Sequence, residues 1–309
     1  MRILNLAPFT LFGSLTKPSE FGMPEGFVEA GHEWFYMQDS GAVPGYADKV
    51  AALAENFDTV FVSKGAHIPL EVFRDITDRC DVTYWTADSI SRLPQVIGAR
   101  ALLCTRSIVT GTEGARWLKE NNYAGRVAQV YLGCRHYVWK PGPFPRKHQD
   151  RVCFLGTSSY KGDCGRKDKL DAIESAGIPL LLSNSIFHEK ASEVYWNSAV
   201  CLNLVQEGIV SDRVVRILSS GGFCLTERNV DVDHSFTDGE ELATFEAGNI
   251  EHMLDQIYFY MSRPKLRSEI ADRGFQWSRK MSHKNQMGKM CRFISGEDVE
   301  PDGAAGEYL

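Results

Sequence analysis

Arg213 and Arg216 stand three positions apart in the stretch SDRVVRILSSGGFCLTE, residues 211–227. It reads as a short amphipathic helix, a Gly221-Gly222 break and a compact apolar strand ending in Leu225, Thr226 and Glu227. A helix that carries its arginines on one side and Ile217 and Leu218 on the other can bury one face and offer guanidinium groups and backbone N–H groups to an anion. Those are the donors with which a protein grips a diphosphate. A second turn of small residues, Gly156-Thr157-Ser158, follows the apolar run RVCFLG. Small residues there let backbone and hydroxyl groups come close to a phosphate, although a plain strand-to-loop turn has the same composition. Lys161, Arg166 and Lys167 surround that turn, either to meet a pyrophosphate or as ordinary solvated charges. The chain has no G-x-x-x-x-G-K-[ST], and no G-x-G-x-x-G follows its first strand, which argues against an ordinary ATPase or dehydrogenase.

The first half of the chain offers candidates for proton transfer. Asp88 closes the phrase YWTAD just past a strand end, where a partly buried carboxylate with a raised pKa could take the proton of a hydroxyl. Asp88 or Ser89 would serve equally well as a helix N-cap. His67 falls in the loop after the strand at 59–63, and Asp39 follows the strand ending at Met37. His32 reads as a cap-region residue. Arg106, Arg116 and Arg135 would make a modest basic strip for an anionic acceptor, or are simply helix-surface charges.

The elements that must position these residues alternate. Strands are expected at 1–8, 33–37, 59–63, 82–85, 101–105 and 127–132, with helices at 25–30, 45–55, 69–78 and 111–121 between them. The run PGPFP within 140–145 can continue neither element and reads as a linker. Strands at 151–156, 179–183 and 199–204 then alternate with helices at 167–176 and 191–197, followed by the helix and strand of the opening motif. Two amphipathic helices, 249–262 and 265–281, and an acidic, Gly-rich tail from Ser295 complete the chain. Strands spaced by helices imply right-handed βαβ units and parallel sheets.

At 309 residues and 43% apolar side chains the chain can bury a large core, most simply as two domains of roughly 150 residues each. No apolar run approaches the roughly 20 residues of a membrane span, and the chain opens directly on a strand with no signal-peptide pattern. Eight scattered cysteines without a C-x-x-C pair fit buried free thiols better than disulfides or zinc, so the cytoplasm is the expected compartment. A formal charge of −6 speaks against wholesale nucleic-acid binding but leaves room for a local basic groove.

The opening motif resembles the nucleotide-sugar-binding core of GT-B glycosyltransferases with a family 1-type C-terminal domain, in particular the spore-maturation-protein-like (CgeB-type) branch. That branch has the pattern Arg-x-Phe-Glu-x-x-x-x-Gly-Gly-x-x-Leu-Thr, and Arg213, Gly221, Gly222, Leu225 and Thr226 match it. Arg216 stands where the pattern has Glu. The phrase EAGHEW resembles an early step of GT-B N-terminal domains, and 136–139 resembles their end, without the expected Asp.

The resemblance implies an α/β protein of two Rossmann-like domains facing across a cleft, an acceptor domain at 1–145 and a donor domain at 146–294. The C-terminal helices would pack back toward the first domain, and 295–309 would be a flexible tail. It implies a hexosyl- or pentosyltransferase, independent of metal and cofactor, that moves a sugar from a nucleotide-sugar co-substrate to a hydroxyl of a carbohydrate, protein, metabolite or modified DNA base. Gly156, Thr157, Ser158, Arg213, Arg216, Gly221, Gly222 and Thr226 would hold the donor. Gly13 and Ser14 would approach donor phosphate or acceptor from the loop after the first strand, and Asp88 or His67 would activate the acceptor. Because Arg216 cannot accept the hydrogen bonds expected of the Glu, Glu207, Asp212 or Glu227 would receive the sugar hydroxyls, or the donor differs, or donor binding has decayed. Two alternatives are a phage-type enzyme acting on hydroxymethylated bases in DNA and a non-catalytic nucleotide-sugar binder. A sugar-nucleotide epimerase is a third.

Overall fold

The computed structural model describes residues 1–7, 18–38, 43–65, 67–87, 94–143, 146, 148–158, 165–204 and 209–309. They form two compact units. The first begins with β1 (Arg2–Ala7), α1 (Pro18–Glu29), β2 (Glu33–Gln38), α2 (Tyr46–Ala54), β3 (Thr59–Ser63), α3 (Leu70–Arg79) and β4 (Val82–Thr86). A π-helical turn, Pro94–Gly98, leads into α4 (Ala99–Ala101), β5 (Arg106–Val109), α5 (Thr112–Glu120) and β6 (Arg126–Gln129). The strands make one parallel sheet in the order β2-β1-β3-β4-β5-β6. β3 and β4 are buried along their whole length, as strands covered by helices on both faces must be. Leu4, Val60, Val62 and Tyr84 pack on one face, while Ile3, Phe61, Trp85 and Ile108 pack on the other.

The expected strand at 101–105 is absent: the chain is helical through Ala101, turns, and the strand comes next at Arg106–Val109. A short apolar run fits either state by periodicity alone. Two neighbours decide it here. A Cβ on Gly98 would stand 2.5 Å from the ring of Trp117, so only glycine lets the indole lie on this turn. The buried Arg100 then bonds the carbonyls of Val96 and Ile68.

The second unit, Cys134–Ser282, contains β7 (His148–Leu155), α6 (Arg166–Ser175), β8 (Leu180–Ser183), α7 (His188–Asn197), β9 (Ser198–Asn203), α8 (Asp212–Ser219) and β10 (Cys224–Glu227). It continues through α9 (Val230–Ser235), β11 (Ala243–Phe245), α10 (Ile250–Met261) and α11 (Pro264–Ser278). Its parallel sheet has the order β11-β10-β9-β7-β8. α9 and β11 were not expected, because six and three residues are too few to show a period. The Pro-rich run is not a free linker within its described part. Ser192 Oγ donates to the carbonyl of Lys140 and accepts from its N–H, and Trp196 Nε1 donates to the carbonyl of Pro143.

Each sheet is wound outward one way from its first strand and then the other way, so the order reverses between β1 and β3 and between β7 and β9. Loops leaving two neighbouring strands on opposite sides open a crevice at their carboxyl ends, and ligands of such sheets bind there.

The chain leaves the first unit at Gly133 and returns to it at His283, so α12 (His283–Ile294) and the closing residues belong to the first unit, not to the second domain or a loose tail. Gly22 and Gly26 line one face of α1, with Ala30 one residue past its end, and leave its backbone bare to α12. A Cβ on Gly26 would stand 2.8 Å from the backbone of His283. Gly26→Ala is therefore expected to cost about 1–3 kcal/mol of stability, read as a lower urea midpoint.

Residues 295–309 are captured by single polar contacts that composition cannot reveal. Asp302 accepts from Tyr131 N–H (2.8 Å) and Gln286 Nε2 (2.6 Å) and pairs with Lys289 (2.6 Å). Gln129 Oε1 accepts from the N–H groups of Gly303 and Ala305, both at 3.1 Å. The ring of Tyr308 lies against Arg116 and Lys119. No helix among the described residues is long and apolar enough to cross a membrane. The seven described cysteines are free thiols.

Candidate functional site

At the reversal point of the second sheet, β7 runs out into Leu155 and Gly156, β9 ends at Asn203, and α8 follows from Asp212. Arg213, in the first turn of α8, reaches back to both strand ends. Its Nε donates to the carbonyl of Leu155 at 3.0 Å and its Nη1 to Asn203 Oδ1 at 3.2 Å. Its guanidinium carbon sits 4.6 Å from the centroid of the Phe154 ring, a cation held on an aromatic face. These contacts use two of five N–H donors. The Nη2 amino group lies beside Gly156, where a Cβ would come within 2.6 Å of it, so the glycine clears the space the cation needs.

The N-terminus of α8 adds to this field. Ser211, the N-cap, does not bond the first-turn amides and gives its hydroxyl to Asn203 Oδ1 at 2.8 Å. The first-turn N–H groups thus carry the positive end of the helix dipole without a side-chain cap. Asp212 would repel an anion there, but Arg216, one turn on, holds its carboxylate at 2.6 Å and lies over Trp139 at 5.3 Å. Arg216 thereby neutralises the one acid in the first turn of the helix.

Other residues singled out in the sequence are placed as follows. Thr157 is exposed, and its carbonyl accepts from Arg166 Nη1 at 3.0 Å while Arg166 Nη2 donates to the carbonyl of Leu204 at 2.9 Å. Arg166 is buried and ties the loop after β7 to the end of β9 rather than standing free for a ligand. Ser158 is half-buried in the same loop. Lys167 is exposed and paired with Asp171. Glu227 is buried against Lys169 at 2.7 Å and accepts from Gly248 N–H at 3.2 Å, so its carboxylate is already engaged.

Three expected donor contacts do not sit at the site. Gly221 and Gly222 close the far end of α8, about 12 Å from its start at a rise of about 1.5 Å per residue, and lie before β10 rather than after it. Gly221, at φ +68°, packs against Trp196, and both glycine N–H groups bond carbonyls of the helix they terminate. Thr226 is fully buried and accepts from Asn203 Nδ2 at 2.9 Å.

In the first unit, His67 is exposed in the loop between β3 and α3, at the carboxyl edge beside the reversal point. Gly13, Ser14, Asp39, Asp88, Lys161 and Glu207 lie outside the described residues. Arg106 pairs with Asp81 at 2.5 Å and Arg116 with Glu113 at 2.9 Å, while Arg135 belongs to the second unit beside His188. His32 Nδ1 lies 3.1 Å from the N-terminal amine, and its pKa is lowered by burial and by that charge.

Burial pushes the Cys201 and Cys224 thiols up, and it pushes Cys134 up to about 12 against the opposing pull of Ser219, 3.0 Å away. Asn203 and Phe154 escaped the sequence reading. The available signal was a lone amide at the end of the apolar strand SAVCLN, where burial obliges it to find partners.

Solved structures share this fold across 96% of the chain. An α-glucosyltransferase in complex with UDP and a 13-mer DNA containing an HMU base superposes with a TM-score of 0.70 at 12% identity, over 100% of its own chain. HepE from Anabaena in complex with UDP gives 0.66 at 11% identity, also over 100% of its chain. The fold is GT-B. A glycosyltransferase from Rickettsia africae also matches, over 99% of its chain, with a TM-score of 0.61 at 12% identity. Within the GT-B fold of this chain, residues 160–290 match the family model described as glycosyl transferase-like. That stretch holds Arg213, Arg216, Asn203 and Thr226. Among curated proteins none matches the chain by sequence.

Proposed function

We propose that the chain is a glycosyltransferase, of the spore-maturation-protein-like branch, that takes a sugar from a nucleoside-diphosphate sugar and passes it to a hydroxyl acceptor in the cytoplasm. The observation that carries this reading is Arg213, held at the ends of β7 and β9 with Gly156 cleared before it, inside the glycosyl transferase-like stretch. In this reading Arg213, the α8 amides and the turn 156–158 hold the diphosphate and stabilise it as it leaves, a task that needs no metal. Asp88 or His67 takes the acceptor proton, His67 from the loop that follows β3. Arg216 is accounted for by Asp212, which weakens the reading of the Glu replacement as decay of donor binding.

Uridine is the first base to try, since HepE and the α-glucosyltransferase were both solved with UDP. Calorimetric titration with UDP, UDP-glucose, ADP, GDP and dTDP in EDTA tests the proposal, followed by an assay for nucleotide released from the matching sugar donor. Binding of one diphosphate in EDTA with slow donor hydrolysis is expected. Failure of every nucleotide to bind would overturn it. A duplex bearing a hydroxymethylated base belongs in the acceptor panel because the α-glucosyltransferase carries such DNA, although the net charge of −6 favours a smaller acceptor.

Gly156→Ala tests the clearance directly. The new methyl crowds a guanidinium pinned by two hydrogen bonds, so nucleotide affinity is expected to fall about fivefold, with stability changed by no more than about 1 kcal/mol. Unchanged affinity would mean that the Nη2 edge of Arg213 does not face the ligand.

A further inference from the structure

Thr226 and Asn203 are both fully buried, so neither can touch a ligand, yet both are joined to Arg213. Asn203 Oδ1 accepts two hydrogen bonds, from Arg213 Nη1 at 3.2 Å and from Ser211 Oγ at 2.8 Å, while its Nδ2 donates to Thr226 Oγ1 at 2.9 Å. A carboxamide has two faces of nearly equal shape and opposite polarity. If it turned over, its NH2 would meet a guanidinium that has only donors, and Arg213 would lose the bond that fixes its second edge. Thr226 gives its own proton to the carbonyl of Glu227 at 3.4 Å, so it meets the amide as an acceptor and rewards the orientation in which Nδ2 donates to it.

We infer that Thr226 and Asn203 form a buried relay that fixes the aim of Arg213 and are positioning residues for the donor site. This rests on the reading of Arg213 as the donor's diphosphate ligand. It also moves Thr226 from the role of a contact to that of a support two residues removed. The arrangement links β10, β9 and α8 through side chains alone: Thr226 on β10, Asn203 at the end of β9, Arg213 in the first turn of α8. Thr226 and Asn203 are also register partners across the two strands, so the amide and the hydroxyl are brought together by the sheet itself. A valine in place of Thr226 keeps the volume and removes the acceptor, whereas a serine keeps the acceptor and loses only a methyl group.

Two readouts on the whole protein separate this relay from the proposed function. The first is the Arg213 side-chain Nε–H resonance in the ligand-free protein, which the bond to the Leu155 carbonyl should protect from exchange. The second is the UDP dissociation constant. Thr226→Val is expected to lose the protected resonance and to weaken UDP binding roughly tenfold, as for loss of one hydrogen bond to a charged group. Thr226→Ser should restore both. Asn203→Asp, a second probe should the valine variant fold poorly, should keep the resonance through its acceptor oxygens yet weaken UDP at least tenfold. Its negative charge cancels that of Arg213.

If Thr226→Val keeps both the resonance and the affinity, or if the serine and valine variants are equally impaired, the relay is wrong. If the wild-type protein fails to bind UDP or any other nucleotide while Thr226→Val still loses the resonance, the relay stands and the donor-site reading falls. If nothing binds and the resonance is indifferent to Thr226, both fall.

Discussion

Arg213→Ala should weaken nucleotide-diphosphate binding by about 100-fold or more, since hydrogen bonds from a charged donor contribute about 1.5–3 kcal/mol each and the variant removes the whole fork. The effect on folding should be much smaller. The side chain is half-exposed, Asn203 Oδ1 keeps the Ser211 hydroxyl, and what is lost is the bond to Leu155 and the contact with Phe154. Arg213→Lys keeps the charge but presents one point donor in place of a planar fork. It cannot serve both strand ends and the ligand together, so about a tenfold loss is expected to remain. Calorimetric titration of the three proteins at one salt concentration is the measurement. Equal affinity across the series would remove Arg213 from the site and leave its bonds as a strand-end clasp.

The largest effect on stability is expected from Glu227→Ala. Glu227 and Lys169 have side chains 6% and 5% exposed and stand 2.7 Å apart, so removing the carboxylate takes from a buried ammonium its ion-pair partner. Breaking one partner of such a pair costs about 3–5 kcal/mol, far more than the pair itself contributes. The double variant Lys169→Met with Glu227→Leu should recover most of that loss, which makes the pair of measurements diagnostic. Urea unfolding of wild type, single and double variants provides them. If instead Glu227→Ala folds normally and loses only sugar-donor affinity, the carboxylate is the missing partner of the sugar hydroxyls and its bond to Lys169 is incidental.

Much of the fold was legible because parallel strands buried on both faces are apolar almost throughout, as in TVFVS and SAVCLN, and glycine or polar breaks separate them from helices. The strand at Thr59–Ser63 was read to the residue, whereas 101–105 was misread because Gly98 and Trp117 meet only in three dimensions. The site was legible in its charges and not in its supports. Arg213 stands out by type and spacing, but nothing local to Thr226 shows that its hydroxyl faces Asn203, since that contact depends on strand register. Gly221 and Gly222 were conspicuous because a glycine pair that ends a helix looks like one that admits a phosphate, and it takes the direction of α8 to show at which end of the helix they stand. Residues 295–309 looked loose by composition because Gln129, Tyr131 and Gln286, which capture Asp302 and its neighbours, lie far away along the chain.

The late return of the chain to its first unit also sets an order of assembly during synthesis. A ribosome delivers β1 to β6 first, but the helix that fits the glycine face of α1, and the carboxylate that binds Tyr131, emerge only after all of the second unit. A nascent chain halted at Ser282 would therefore hold every residue of a contiguous second unit beside a first unit still open along one side. Mutations in α12 or the last fifteen residues should accordingly injure the part of the protein that was made first.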